Sequence, residues 1–413
     1  GRDPSRGPRR RRPGDPQQAS EDPLLILRRT LQLDQRGLGD LFGGFVAANA
    51  TWDYARGDAL RAAYGSYDDR SGSRRNRVTP LDRVADGVYQ VADHRAPQRY
   101  GYNLVRLAPA PGSRELRVAF EGHVQPRPGV AAFGGDFVNQ PERVPEPASD
   151  WRFVLVAVDA NGRQRCSALG RGPRGELDLA LEPDDRALWL GVVATPTEHH
   201  SIAWDQAYYT LYRYPWSVRI EGARPVGSFR APPRQVGAPH PNGGGFVAAT
   251  AFAAPTAFVG PDAAVLDRAQ VLATARLEGM ACASGEARVH GSARLMDRAE
   301  ATGSADIGDA AVLEHEALVR AGRISGRARL SALTLVEGEA TQIDGDVRIA
   351  AVVNTLVDVR LTGTVQLLGD LELHCAPTRG VFYGLVEPEH ADDVRFGAER
   401  TQPMPEVTLP HPR

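Results

Sequence analysis

The stretch WDQAYYTLYRYPW crowds Trp204, Tyr208, Tyr209, Tyr212, Tyr214 and Trp216 together, beside Asp205 and Gln206. Flat aromatic faces stack against sugar rings, and acids or amides bind sugar hydroxyls. Trp204, Asp205, Tyr208, Tyr212 and Trp216 therefore form a candidate carbohydrate-binding set. Alternation along a strand gives a competing expectation, in which alternate rings fill a core, Trp204 and Trp216 foremost, and Asp205 and Gln206 cap a turn.

Other side chains of suitable type are spaced less well. Glu198-His199-His200 offers metal-ligand chemistry, but successive strand residues point to opposite faces, so one ion cannot easily take both histidines. A polar loop is expected there. Asp53, Asp58, Asp68 and Asp69 supply oxygen ligands without the spacing of a calcium loop. His315-Glu316, in VLEHEALVR, begins like a zinc-binding helix, but Val319 stands where the second histidine is needed at i+4. No catalytic residue, metal ligand or cofactor is assigned.

These residues hang on elements with a strict metre. Alanine recurs at every sixth position from Ala251 to Ala317, usually with an aliphatic two places later, as in Val259, Val265, Val271, Leu277, Val289, Leu295, Ile307, Leu313 and Val319. Six is a multiple of the strand period of two, so both residues share one inward face. Such periodicity predicts a left-handed parallel β-helix in which three hexads close one triangular coil, with small alanines relieving the corners. The hexads from Phe246 to Arg323 fill roughly four coils, and irregular alternation carries the rod on to about Cys375.

Upstream, Asp22-Pro23 is a helix start before LLILRRTLQL, and Leu38, Leu41, Phe42, Phe45 and Val46 recur at helical spacing. The runs LRVAFEGHV, WRFVLVAVD, ELDLALE, ALWLGVVAT and YPWSVRIEG then read as strands without intervening helices, which predicts an antiparallel β-sandwich. The chain is thus expected to be mainly β. The expected order is a disordered Arg/Pro-rich tail at 1–22, a small helical remnant at 23–77, the sandwich at 78–224, a linker at 225–245, the β-helix at 246–385 and a tail at 386–413.

Composition narrows the function classes. At 413 residues, 42% hydrophobic, the chain holds two or three domains, and a net charge of −2 gives no general attraction to nucleic acid or anionic membrane. All the basic charge is arginine, and the run Arg9–Arg12, without neighbouring aromatics, reads as a solvated tail. No run is long and apolar enough to span a membrane, and no signal peptide is present. Gly1 in place of Met fits a fragment or processed form. Cys166, Cys282 and Cys375 are too scattered for a zinc ribbon. A Cys282–Cys375 disulfide and three free thiols both remain open.

At NATWDYARGDALRAAYGSYDD, APQRYGYNLVRL, IAWDQAYYTLYRYPWSVRIEGARP and HPNGGGFVAATA the sequence resembles the Svx/AvrXca family of secreted virulence and avirulence proteins of plant-associated bacteria. The resemblance runs from about Leu24 to Leu385, and WDQ…YRYPW is its most specific part. Members look like zincin-type zinc metalloproteases with an N-terminal catalytic domain and β-rich modules, so zinc is implied for full-length members. The HExxH helix is expected upstream of residues 24–48, where this chain has its arginine-rich tail, and no catalytic or metal residue carries over. The resemblance implies a secreted protein, non-catalytic as it stands, that binds a host surface or plant cell-wall polysaccharide. One alternative is the C-terminal part of a secreted zinc metalloprotease. Another is a hexapeptide-repeat acyltransferase with His290 or His315 as base.

Overall fold

The computed structural model describes most residues from 23 to 372 and strands as far as Phe396. Residues 1–22, 60–77, 129–147, 200–211, 230–232 and 373–380, and the chain after 396, lie outside the described residues.

Two helices open the chain, α1 (Pro23–Thr30) and α2 (Gln35–Asn49). Asp34 caps α2, its Oδ1 accepting from the Gly37 N–H at 2.6 Å. Neither is long and apolar enough to cross a membrane, and nor is any other helix among the described residues.

The strands that follow are short and separated by turns: β1 (Leu81–Ala85), β2 (Val88–Val91), β3 (Tyr102–Pro109) and β4 (Glu115–Gly122). Next come β5 (Arg127–Pro128), β6 (Arg152–Asp159), β7 (Gln164–Cys166), β8 (Gly170–Arg171) and β9 (Arg174–Ala180). The set ends with β10 (Asp185–Val193), β11 (Tyr212–Arg213), β12 (Trp216–Glu221) and β13 (Ala223–Pro225). They form a five-stranded sheet in the order β1-β2-β12-β4-β9 and a six-stranded sheet in the order β13-β3-β10-β6-β7, with β8 also on β6. All these pairings are antiparallel.

The two sheets share one core. Tyr89, Val118, Phe120, Leu177, Trp216 and Val218 from the first meet Leu107, Phe153, Leu155, Leu188 and Leu190 from the second. On its other face the six-stranded sheet receives α2, where Val46 and Ala47 pack on Val154, Val156, Trp189 and Val193. Arg152, fully buried, ties the helix down with bonds to Asp40 at 2.6 Å and Asp150 at 2.9 Å. The helical segment therefore shares a core with the sheets.

From Phe246 the chain becomes a parallel β-solenoid of about five turns. Val247 pairs with Val265, Val265 with Ala283, Ala283 with Ala301 and Ala301 with Val319, one of three ladders that advance 18 residues per coil until the steps from Ile307, Leu313 and Val319, which are 17. Every metre alanine from Ala257 to Ala317 is 0–1% exposed, and the aliphatic two places on stacks beside it.

The corners follow from turn chemistry. Pro255 and Pro261 occupy the first two corners, where proline fixes a negative φ. From Asp267 to Asp309 the corner residue instead has positive φ at every sixth position, as at Gly285 (+66°), Asp297 (+56°) and Gly303 (+60°). Aspartates there do a second job: Oδ2 of Asp267, Asp297 and Asp309 accepts the backbone N–H of the corner one coil on, at 2.8–3.0 Å.

Part of the expected linker is structured. Gly237–Pro239 pairs antiparallel with Phe246–Ala248, and the His240–Gly245 turn covers the open end of the first coil. His240 lies 3.1 Å from the Ala254 carbonyl, and the Asn242 side-chain amide donates to Ala257 O at 2.8 Å. Such a cap shields a solenoid's end from water.

Candidate functional site

Of the aromatic set, Trp204, Asp205, Gln206, Tyr208 and Tyr209 lie outside the described residues. Tyr212 sits in β11, opposite Pro128. Tyr214 and Trp216 are each 1% exposed, and Trp216 Nε1 donates to Asn103 Oδ1 at 2.8 Å. Those two rings fill the core between the sheets, packed with Phe120 and Trp151. Of the candidate sugar-stacking set, Trp216 is therefore a core residue.

The five-stranded sheet offers a second ligand surface. Ser217, Arg219 and Glu221 of β12 alternate with buried Trp216, Val218 and Ile220, so their side chains face away from the core. Glu121 of β4 and Arg174 and Glu176 of β9 share that face. Two grooves of about 480 and 520 Å³ meet at Arg219. The first runs between Glu121, Arg174, Glu176 and Ser217, with Arg174 and Glu121 paired at 2.6 Å. The second is lined by Arg83, Asp86, Tyr89, Glu221, Arg224 and Phe229.

In that second groove the Arg83 and Arg224 guanidiniums lie 5.5 and 5.3 Å from the centre of the Phe229 ring. Tyr89 meets the same ring edge-on at 6.3 Å, and burial pushes its phenol above the ordinary value. Arg83 pairs with Asp86 at 3.0 Å, whereas Arg219 and Arg224 have no carboxylate partner among the described residues. The groove floor is pinned: Ser228 Oγ donates to Leu81 O at 2.6 Å. From the solenoid, Arg298 binds Leu81 O at 2.6 Å, Asp82 Oδ1 at 2.7 Å and Gly227 O at 2.9 Å.

One coil beyond Arg298, on the same corner of the solenoid, Glu316 enters the two-sheet unit. Arg95 grips it with a two-pronged contact, Nε to Oε1 at 2.9 Å and Nη2 to Oε2 at 2.6 Å, and His94 Nε2 lies 3.3 Å from Oε1. The His94 and His315 rings stack at 4.7 Å. Burial would raise the Glu316 carboxyl, but Arg95 and His94 hold it well below the usual range. For His94 burial dominates and lowers its affinity for a proton, although Glu316 opposes this. Reading the sequence missed this cluster. Its one signal was bulky charged pairs, Asp297-Arg298 and His315-Glu316, at corners where glycine or small residues prevail.

The remaining candidates stand apart. Glu198 is exposed and His200 lies outside the described residues, among which no cluster of three His, Cys, Asp or Glu residues could hold a metal. Asp53 is exposed, while Asp58, Asp68 and Asp69 lie outside. The zinc implied by the resemblance finds no ligand pair at His315-Glu316, because Val319 is 0% exposed inside the coil and Glu316 is held by Arg95. His290 Nε2 lies 2.9 Å from Asp306 Oδ1 on another solenoid face. Cys166 is exposed, Cys282 is buried in the coil wall and Cys375 lies outside, so the Cys282–Cys375 pairing does too.

Residues 15–227, just over half the chain, match the family of unknown function DUF6055, and the chain belongs to that family. The match covers α1, α2 and both antiparallel sheets and stops before the solenoid. No curated protein and no solved structure matches the chain.

Proposed function

We propose that this DUF6055 chain is a surface- or polysaccharide-binding protein whose two-sheet unit carries the ligand groove and whose solenoid is a stiff stalk behind it. The observation that carries the reading is the pair of grooves that share Arg219, one on the open face of the five-stranded sheet and one beside the β1–β2 hairpin and Phe229. Their lining alternates guanidinium, carboxylate and hydroxyl groups, which suits a hydroxyl-rich chain lying along the sheet.

The resemblance to the Svx/AvrXca family supports export and a plant cell-wall or host-surface target. On this reading the chain is non-catalytic as it stands, and zinc belongs to longer members. We read the solenoid as a left-handed β-helix of hexapeptide repeats, on the strength of three six-residue steps per 18-residue coil. The purified chain is expected to be retained on insoluble plant cell-wall material and released by soluble fragments of it. Failure to bind any wall fraction or glycan while folded would sink the reading.

One observation favours the acyltransferase alternative. Asp306 orients His290 as a carboxylate orients a catalytic base, and Gly308 leaves room beside it, since a Cβ there would lie 2.4 Å from the ring. Saturable binding of acetyl-coenzyme A, lost in His290→Ala, would support it.

A further inference from the structure

The groove around Phe229 has a charge pattern that names a ligand class, and the argument rests on the groove reading above. We propose that Arg83 and Arg224, with Arg219 at the groove's rim, form a carboxylate-binding subsite fitted to the uronate groups of an acidic polysaccharide.

A guanidinium presents forked donors that match a carboxylate's two oxygens, so its orientation matters as much as its charge. Here orientation is built in. Arg83 and Arg224 both lean on Phe229, at 5.5 and 5.3 Å, and cation–π attraction keeps two like charges beside one ring. Phe229 packs against the sheet core, and its neighbour Ser228 is bonded to Leu81. Arg298 bonds to Leu81 and Gly227 and fixes the same floor from the solenoid. Holding the donors in place before binding lowers the ordering cost of a ligand.

The charge count favours a single negative charge on each ligand group. Beside the Phe229 ring Arg83 and Arg224 meet only Asp86, which leaves one positive charge in excess, while Arg219 and Glu221 stand on the sheet's outer face at the groove's rim. A carboxylate balances that excess, whereas a phosphate monoester would overfill it. The groove then runs past Arg219 to Ser217, Glu176 and the Arg174–Glu121 pair, donors and acceptors suited to sugar hydroxyls. The ligand is therefore expected to be a chain longer than one residue.

The test is calorimetric titration of the whole chain with oligogalacturonate, its methyl ester, a neutral cello-oligosaccharide and inorganic phosphate. Oligogalacturonate should bind at least about tenfold more tightly than its ester, which keeps the hydroxyls and loses the charge. Arg224→Ala should remove most of that preference, and Arg224→Lys should restore only part, because lysine keeps charge without the fork. A circular dichroism spectrum matching wild type would show that both variants are folded. Equal binding of acid and ester would overturn the subsite and leave the groove reading standing. No binding of any sugar would remove both. Inorganic phosphate binding as tightly as oligogalacturonate would overturn the carboxylate assignment in favour of a general anion site.

Discussion

At the scale of single residues, Glu316 carries the most consequence. It lies 221 positions from Arg95, yet the two make a fork of contacts with little solvent around them. Removing one partner of such a pair leaves the other charge uncompensated. Glu316→Gln is therefore expected to cost about 3 kcal/mol of stability, read as a lower urea midpoint. Acid should act in the same direction. Glu316 titrates well below its ordinary value of 4.5, so its contribution is complete above that value and is lost as pH falls through the depressed one. The His94 pKa is also depressed, so the undocked form binds the extra proton first, and docking weakens as pH falls below the ordinary histidine value of 6.5. Amide protection factors at residues 93–96, corrected for the intrinsic pH dependence of exchange, should fall between pH 7.5 and 5, and protection that is flat or rising on acidification would contradict this account.

At the scale of elements, the solenoid corner is the unit on which sequence and geometry agree most closely. Gly303 has φ +60°, and a Cβ there would lie 2.3 Å from the Arg320 carbonyl oxygen, which belongs to the backbone and has little room to retreat. Gly303→Ala should lower stability by about 1–3 kcal/mol. Ala273 already adopts φ +55°, so Ala273→Gly should be neutral or slightly stabilising, since glycine relieves the strain at some entropic cost. Thermal unfolding of the two variants checks the contrast. This level was legible in advance because the metre of Ala257, Val259, Ala263 and Val265 is local and each coil repeats it. α2 was legible for the same reason, through Leu38, Phe42 and Val46. The cap at His240–Gly245 was not, because proline and glycine mark a tight turn and a flexible linker alike. The groove was not legible either: Arg83, Arg219 and Phe229 come together only through antiparallel pairing and the Arg298 anchor.

At the scale of the whole molecule, one corner of the solenoid, carrying Arg298 and Glu316 on successive coils, holds the two-sheet unit. With both contacts intact the chain should scatter as one elongated body, and Arg298→Ala combined with Glu316→Gln should raise its radius of gyration and split its calorimetric transition. The match to DUF6055 ends at residue 227, at the boundary between the two-sheet unit and the solenoid. Asn49-Ala50-Thr51 has the pattern of a glycosylation acceptor, but Asn49 is 3% exposed and its Oδ1 accepts from the Tyr54 hydroxyl at 2.7 Å, so glycosylation does not explain that motif in the folded chain. The account turns on Arg219, the residue common to both grooves. The most direct test is a binding isotherm for plant cell-wall polysaccharide fragments, measured with the wild-type chain and with Arg219→Ala at equal fold stability. The account predicts saturable binding by wild type and a loss of about tenfold or more in the variant. Equal affinity in the two proteins would place the ligand elsewhere and contradict it.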